Sequence, residues 1–198
     1  MALFGAVKNA LLNGLTKEEA PKFKPEWAGM FKRGTAKKVT TASTSGKVLS
    51  TANLLKNAEI IVFTVLTMEE SGTGLFAGRP YFVIEEATNE FGLSQTSGGP
   101  AETWTGKIAT SSEFAVVTEL SGGEYKRLKT KYEAAAKGKT EDTETHAIKV
   151  PTGQTALYVS GHTLETAGSP VSITEVESFA GPGTYTITSE EIDLLAAA

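Results

Sequence analysis

Residues 59–67 read EIIVFTVLT, and this stretch decides the fold class. Its apolar part, residues 60–66, is the longest such run in the chain, far shorter than the roughly 20 residues of a membrane-spanning helix. β-Branched and aromatic residues dominate it, and these residue types favour strands. The run therefore predicts a buried β-strand.

Similar runs recur along the rest of the chain. Turn signals such as Ser71-Gly72 and Gly181-Pro182-Gly183 separate them. The predicted strands are residues 59–67, 81–86, 103–109, 113–119, 145–150, 156–160, 171–177 and 184–188. About eight strands at this spacing predict a mainly β fold, an antiparallel sandwich, jelly roll or barrel.

Three short helices are predicted outside these strands. Apolar residues at helical spacing predict the first, near the N-terminus, which either packs on another subunit or closes its own domain. Residues 123–137 form the second, with Gly138 placed to end it and a basic face that is either solvated or bound to an anion. Ser189, followed by Glu190 and Glu191, caps the third over residues 190–198.

Charge divides the chain near residue 56. Up to Lys56 there are ten basic and three acidic residues, a net charge of +7, and the remaining nine basic and twenty acidic residues give -11. Residues 34–51 are a Thr, Ser, Ala, Lys and Gly mixture, too polar to bury much surface, and predict a linker or extended arm. We therefore expect a basic N-terminal helix and arm over residues 1–56 and a β-rich domain over residues 57–198.

The basic segment predicts a contact with something negatively charged, although a solvated leader would have the same composition. Its lysines are scattered, it has one arginine, and apolar residues are interleaved. These features favour an acidic protein surface, including that of neighbouring copies, over nucleic acid. The predicted contact residues are Leu3, Phe4, Val7, Leu11, Trp27, Phe31, Lys32, Arg33, Lys37 and Lys38.

The residue types that carry out catalysis are scarce. There is no cysteine, histidine occurs only at positions 146 and 162, and aspartate only at 142 and 193. Hydrolytic triads, general acid–base pairs and metal sites depend on these residues at close spacing. We therefore expect no enzyme, no cofactor and no metal, with structural or surface histidines.

Four aromatic residues support a different function. Aromatic rings stack on carbohydrate, so these residues could line a sugar-binding face, although ordinary core packing is the simpler explanation for most of them. They are Tyr81, Trp104, Tyr158 and Tyr185.

No stretch matches a motif of a known family. In overall character the chain resembles components of bacteriophage and virus particles, with a basic leader, a β body rich in Thr and Gly, no cysteine and few catalytic residues. The resemblance implies a structural protein of the virion: a capsid or capsid-associated decoration, vertex or tail-connecting subunit. It would bind copies of itself and other virion proteins, with no role for a membrane. The alternative is a soluble β-rich module that binds glycan or peptide.

Overall fold

The computed structural model describes residues 26–43, 46–132, 139–188 and 191–193. Strands make up about half of these residues and none of them is helical, which confirms the mainly β prediction. Consequently, none of the described residues belongs to a helix long and apolar enough to cross a membrane. The strands are β1 (Trp27–Arg33), β2 (Lys37–Lys38), β3 (Val48–Leu49), β4 (Ile60–Val65), β5 (Met68–Glu69), β6 (Pro80–Ala87), β7 (Glu90–Ser94), β8 (Lys107–Ile108), β9 (Glu113–Glu119), β10 (Leu128–Lys129), β11 (Lys139–Glu141), β12 (His146–Val150), β13 (Thr155–His162), β14 (Ser172–Ala180), β15 (Gly183–Ile187) and β16 (Glu191–Asp193).

Each of the eight predicted segments overlaps one of these strands, and β9 has the predicted bounds. The other eight are mostly two or three residues long, too short to show a periodic pattern. β1 and β7 are the longer exceptions.

The described chain forms two compact units. The continuous unit comprises Arg33–Thr118, and the discontinuous unit comprises the described residues up to Lys32 and from Glu119 onward. The chain thus changes unit after Lys32 and before Glu119, whereas charge alone placed a boundary at residue 56.

The continuous unit is built on an antiparallel sheet with the strand order β9-β4-β6-β7-β3, and β2 pairs with β9. Strand β4, the run quoted above, lies between β9 and β6, with Ile61 opposite Val116 on one side and Tyr81 on the other. A separate pair, β5 and β8, completes the unit. Its core consists of Val39, Val48, Leu55, Ile61, Phe63, Leu75, Tyr81, Val83, Phe91, Leu93, Trp104, Ile108 and Phe114.

The discontinuous unit has strand order β14-β13-β1, with β10 also paired to β1. Two further antiparallel pairs, β12 with β15 and β11 with β16, belong to the same unit. Its core consists of Ala28, Met30, Leu120, Ile148, Val150, Ala156, Val159 and Ile187.

The predicted helix at residues 123–137 is wrong over the part that is described, residues 123–132. Gly122 and Gly123 have φ angles of 82° and 57° and form a turn. Leu128 and Lys129 then pair with β1 as strand β10. Sheet pairing with β1 therefore overrides the helical spacing of the apolar residues.

The other two helix predictions have different outcomes. The predicted C-terminal helix is wrong at Glu191–Asp193, which is strand β16 paired with β11. Pairing along the backbone again overrides the local capping pattern. The predicted N-terminal helix lies outside the described residues.

The polar stretch 34–51 is part of the continuous unit rather than a separate arm. Its strands β2 and β3 pair with β9 and β7, and Val39 and Val48 are buried in the core. Main-chain bonds add to this, because the Val39 amide donates to the Ser112 carbonyl over 3.0 Å and the Thr40 amide to the Leu49 carbonyl over 2.9 Å. Main-chain hydrogen bonds need no apolar side chains, which is why composition did not predict this ordering.

Candidate functional site

The predicted contact residues of the N-terminal segment fall partly outside the described residues, as Leu3, Phe4, Val7 and Leu11 do. Trp27 is half-buried in β1, with the Lys129 Nζ 6.0 Å from the centre of its ring. Phe31 is buried and its ring stacks on that of His162, with the centres 5.9 Å apart. The Phe31 side chain therefore packs inside the discontinuous unit.

The predicted basic contacts are placed on both units. Lys32 donates to the Gln154 side-chain oxygen over 3.0 Å within the discontinuous unit. In the continuous unit the Lys37 ammonium donates to the carbonyl of Asn53. Arg33 and Lys38 are exposed. The structure thus does not gather the described contact residues on one unit.

The aromatic residues proposed for a sugar-binding face are mostly internal. Tyr81, Trp104 and Tyr158 are at most 4% exposed, so core packing is confirmed for all three. Tyr185 is half-buried and meets Phe179 edge-on, with ring centres 5.8 Å apart. The four rings therefore form no common exposed face.

A buried cluster of ionisable and hydroxyl side chains lies in the discontinuous unit. Arg127 forms a bidentate ion pair with Glu119, with Nε 2.7 Å from Oε1 and Nη2 2.6 Å from Oε2. Its remaining nitrogen, Nη1, donates to the carbonyls of Leu164 and Ala167 over 2.8 and 2.6 Å. The guanidinium fork matches a carboxylate, so this geometry fixes the arginine side chain. Arg127 therefore ties the 163–168 loop to Glu119.

Tyr125 extends the ion pair toward β1. Its hydroxyl donates to Glu119 Oε1 over 2.7 Å and accepts the Met30 amide over 3.0 Å. Burial raises the pKa of Tyr125 well above its usual range. Burial would also raise the pKa of Glu119, but the hydrogen bonds from Arg127 and Tyr125 outweigh it and the pKa is lowered. Glu119 is therefore a stable anion and Tyr125 a neutral donor.

His162 and Ser160 complete this group. Both are fully buried, and Ser160 Oγ lies 2.9 Å from His162 Nε2. Burial, and then the nearby Arg127 cation, lower the pKa of His162 to about 4, against a weaker opposing effect of Glu119. The imidazole is therefore neutral at pH 7. We call Glu119, Tyr125, Arg127, Ser160 and His162 the polar cluster.

Gly29 lies against three members of the polar cluster. A Cβ at this position would lie 3.0 Å from the Tyr125 hydroxyl, 3.1 Å from His162 Nε2 and 3.1 Å from Ser160 Oγ. These distances are shorter than ordinary van der Waals contacts, so a side chain at position 29 would require these neighbours to move by a few tenths of an ångström.

Serine, histidine and a carboxylate are also the residue types of the catalytic triads that carry out nucleophilic catalysis. Here the carboxylate of Glu119 is bonded to Arg127 and Tyr125, and no hydrogen bond joins it to the imidazole of His162 among the described residues. Ser160 and His162 are both 0% exposed, which leaves a substrate no access to the hydroxyl. In this geometry the hydrogen bonds and the ion pair of the polar cluster hold β1, β9 and the 163–168 loop in place.

The second histidine has a separate buried partner. His146 Nε2 lies 2.5 Å from Asp142 Oδ2, and both side chains are at most 4% exposed. The other oxygen of Asp142 accepts the amides of Lys131 and Glu144 over 3.0 and 3.1 Å. Asp142 thus fixes the turn that leads into β12. Among the described residues, no group of three or more His, Cys, Asp or Glu could hold a metal ion.

One surface cleft of the discontinuous unit has a volume of about 310 Å³. It is lined by residues 123–124, 149–152 and 182–183. Val150, Pro151 and Pro182 contribute apolar surface, and Glu124 and Lys149 contribute one charge of each sign. The cleft can therefore receive a small apolar group that is accompanied by a charge.

Sequence reasoning singled out neither the polar cluster nor the cleft. The sequence predicts a helix here whose basic face is either solvated or bound to an anion, and it does not distinguish the buried Arg127 from its lysine neighbours. The available signal was Gly122-Gly123, a pair that favours a turn at the start of that segment.

Comparison with known proteins finds no relative of this chain. No family model matches the chain, and no curated protein or solved structure is significantly similar to it.

Proposed function

We propose that this chain is a structural protein of a virus particle, a capsid or capsid-associated decoration, vertex or tail-connecting subunit that acts by self-assembly. The observation that carries the proposal is the burial of its reactive residues. His162, His146, Arg127 and Asp142 are at most 6% exposed and bond to neighbours within the chain. Side chains used in this way stiffen a building block, because buried ion pairs and hydrogen bonds hold the segments that they join in one arrangement.

Charge supports contacts between copies. The segment up to Lys56 carries +7 and the rest of the chain -11, so the N-terminal segment of one copy would attract the body of another. The exposed Lys38 and Lys56 belong to this positive part. Such contacts would weaken as the salt concentration rises.

A sandwich, jelly roll or barrel remains our proposal for the finer architecture. The antiparallel strands and their apolar cores fit these folds. Closed or face-packed sheets leave few open strand edges, and open edges would promote uncontrolled aggregation of an abundant building block.

The alternative function is a soluble β-rich module that binds glycan or peptide. The cleft of about 310 Å³ favours it, since this volume is at the lower end of the roughly 300–1,000 Å³ of small-molecule sites. This function predicts a monomer whose ligand contacts Lys149 or Glu124.

The mass in solution separates the two functions. We would compare the full chain with a chain that begins at residue 26, over a range of concentrations, by sedimentation velocity. The deletion must end before Trp27 because β1, β2 and β3 belong to the two units. A full-length control replaces Lys8, Lys17, Lys22 and Lys24 by glutamine.

Assembly predicts that the full chain forms defined oligomers and that both variants need higher concentrations to do so. Raising the salt concentration should have the same effect on the full chain. A full chain that stays monomeric at every concentration would contradict the proposed function and favour the binding module.

A further inference from the structure

The 163–168 loop exposes the side chain of Leu164, while its backbone is hydrogen-bonded to the buried Arg127. Leu164 is 54% exposed. Its carbonyl and that of Ala167 both accept from Arg127, which is itself held by two bonds to Glu119. A loop fixed before binding loses little conformational entropy on binding, which favours contact with a partner.

Glu165 adds a charge beside this leucine. It is exposed, and within the described residues it takes part in no ion pair. A projecting leucine next to an unpaired carboxylate needs a recess with apolar walls and a nearby cation.

The cleft of the discontinuous unit has this composition. Val150, Pro151 and Pro182 supply apolar surface, and Lys149 supplies a cation without an ion-pair partner among the described residues. Its volume of about 310 Å³ exceeds that of a single leucine side chain, which leaves room for the neighbouring backbone.

The loop cannot fill the cleft of its own copy. The cleft residues 149–152 precede β13 and the loop follows it. Eight residues of extended strand separate the two features, a distance of about 25 Å. A contact between them must therefore join two copies.

The geometry points to a head-to-tail contact in which Leu164 of one copy enters the cleft of the next and Glu165 meets its Lys149. This inference rests on the proposed function, since it specifies how the copies bind. Because the two surfaces differ and lie at opposite ends of β13, repetition of the contact produces a ring or a filament rather than a closed symmetric dimer.

Three variants test the contact by sedimentation velocity. Leu164→Ser should raise the concentration at half-association about tenfold or more, the effect of exposing a buried leucine. Lys149→Glu and Glu165→Lys should each weaken association severalfold, because each places like charges opposite one another. Leu54→Ser is the matched control, since Leu54 is 83% exposed but lies in the continuous unit.

Mixing the two charge variants gives a sharper test. The cleft of Lys149→Glu copies is complementary to the loop of Glu165→Lys copies, and the reverse pair is complementary as well. An equimolar mixture should therefore associate more tightly than either variant alone.

A change that removes repulsion should strengthen the contact, in contrast to the single charge reversals. Glu124→Gln should strengthen association severalfold, because Glu124 repels the incoming Glu165.

The outcomes separate this contact from the proposed function. Association that responds to deletion of residues 1–25 but not to Leu164→Ser or the charge variants would overturn the head-to-tail contact and leave the proposed function standing. Monomeric wild-type protein would overturn both. Circular dichroism and thermal unfolding of each variant show whether it is folded, and a folded Leu164→Ser variant that associates like the wild type overturns the contact.

Discussion

Acid should destabilise the discontinuous unit through His162. Burial and the Arg127 cation lower the pKa of this imidazole from 6.5 to about 4. Below pH 6.5 the unfolded chain therefore takes up a proton that the folded chain does not yet bind. The free energy of unfolding falls as the pH decreases from 6.5 to about 4. The difference of 2.5 between the two pKa values, at about 1.4 kcal/mol per pH unit, amounts to about 3–4 kcal/mol.

Chemical unfolding at a series of pH values measures this effect. Trp27 lies in the discontinuous unit and Trp104 in the continuous unit, so fluorescence in a Trp104→Phe background reports on the first alone. The free energy of unfolding should be nearly constant above pH 7 and fall steadily below pH 6.5. His162→Gln should remove most of this slope, because glutamine does not titrate. Protonation of Glu119 contributes a separate loss that begins only below about pH 4.5, since its pKa is lowered from that value.

The histidine titration provides a direct check. The chain contains only two histidines, so the imidazole signal that disappears in His162→Gln identifies this residue in the NMR spectrum. Its midpoint should lie near pH 4. A midpoint near 6.5, or equal pH dependence of unfolding in the wild type and His162→Gln, would refute the assignment of a buried, neutral imidazole.

Two further changes test the packing, each by chemical unfolding. Gly29→Ala should lower the free energy of unfolding by about 1–3 kcal/mol through overpacking of the polar cluster, whereas alanine in an unconstrained strand would be favourable; an increase would contradict the geometry. Gly106→Ala should cost clearly more than Gly78→Ala, because both glycines have φ near 73° but only at Gly106 would a Cβ meet backbone atoms, 2.3 Å from the Glu69 carbonyl oxygen. Equal costs would show that backbone conformation alone governs both positions.

Sequence patterns predicted the strands that carry long apolar runs. Residues 113–119 and the stretch around Phe63 were located because several Val, Ile and Phe residues follow one another. β2, β3 and β5 were not found, since two residues contain no period and their pairing is made by backbone atoms. At residues 123–132, the spacing of Tyr125 and Leu128 fits a helix, and only tertiary pairing with β1 decides otherwise.

The polar cluster was beyond the reach of sequence patterns for a different reason. Its members come from β9, the following turn and β13, and are brought together by pairing of strands far apart in the chain. The arginine at 127 stands among lysines on either side, and only its partners distinguish it. Residue type alone therefore did not show that this charge is buried.

The narrow space around Gly29 also has an evolutionary consequence. A larger residue at position 29 would press on Tyr125, Ser160 and His162, so we expect these positions to vary together. Glycine at 29 combined with the five residues of the polar cluster thus forms a discontinuous signature. Distant homologues whose overall sequences have diverged beyond ordinary alignment could be detected by this co-varying set.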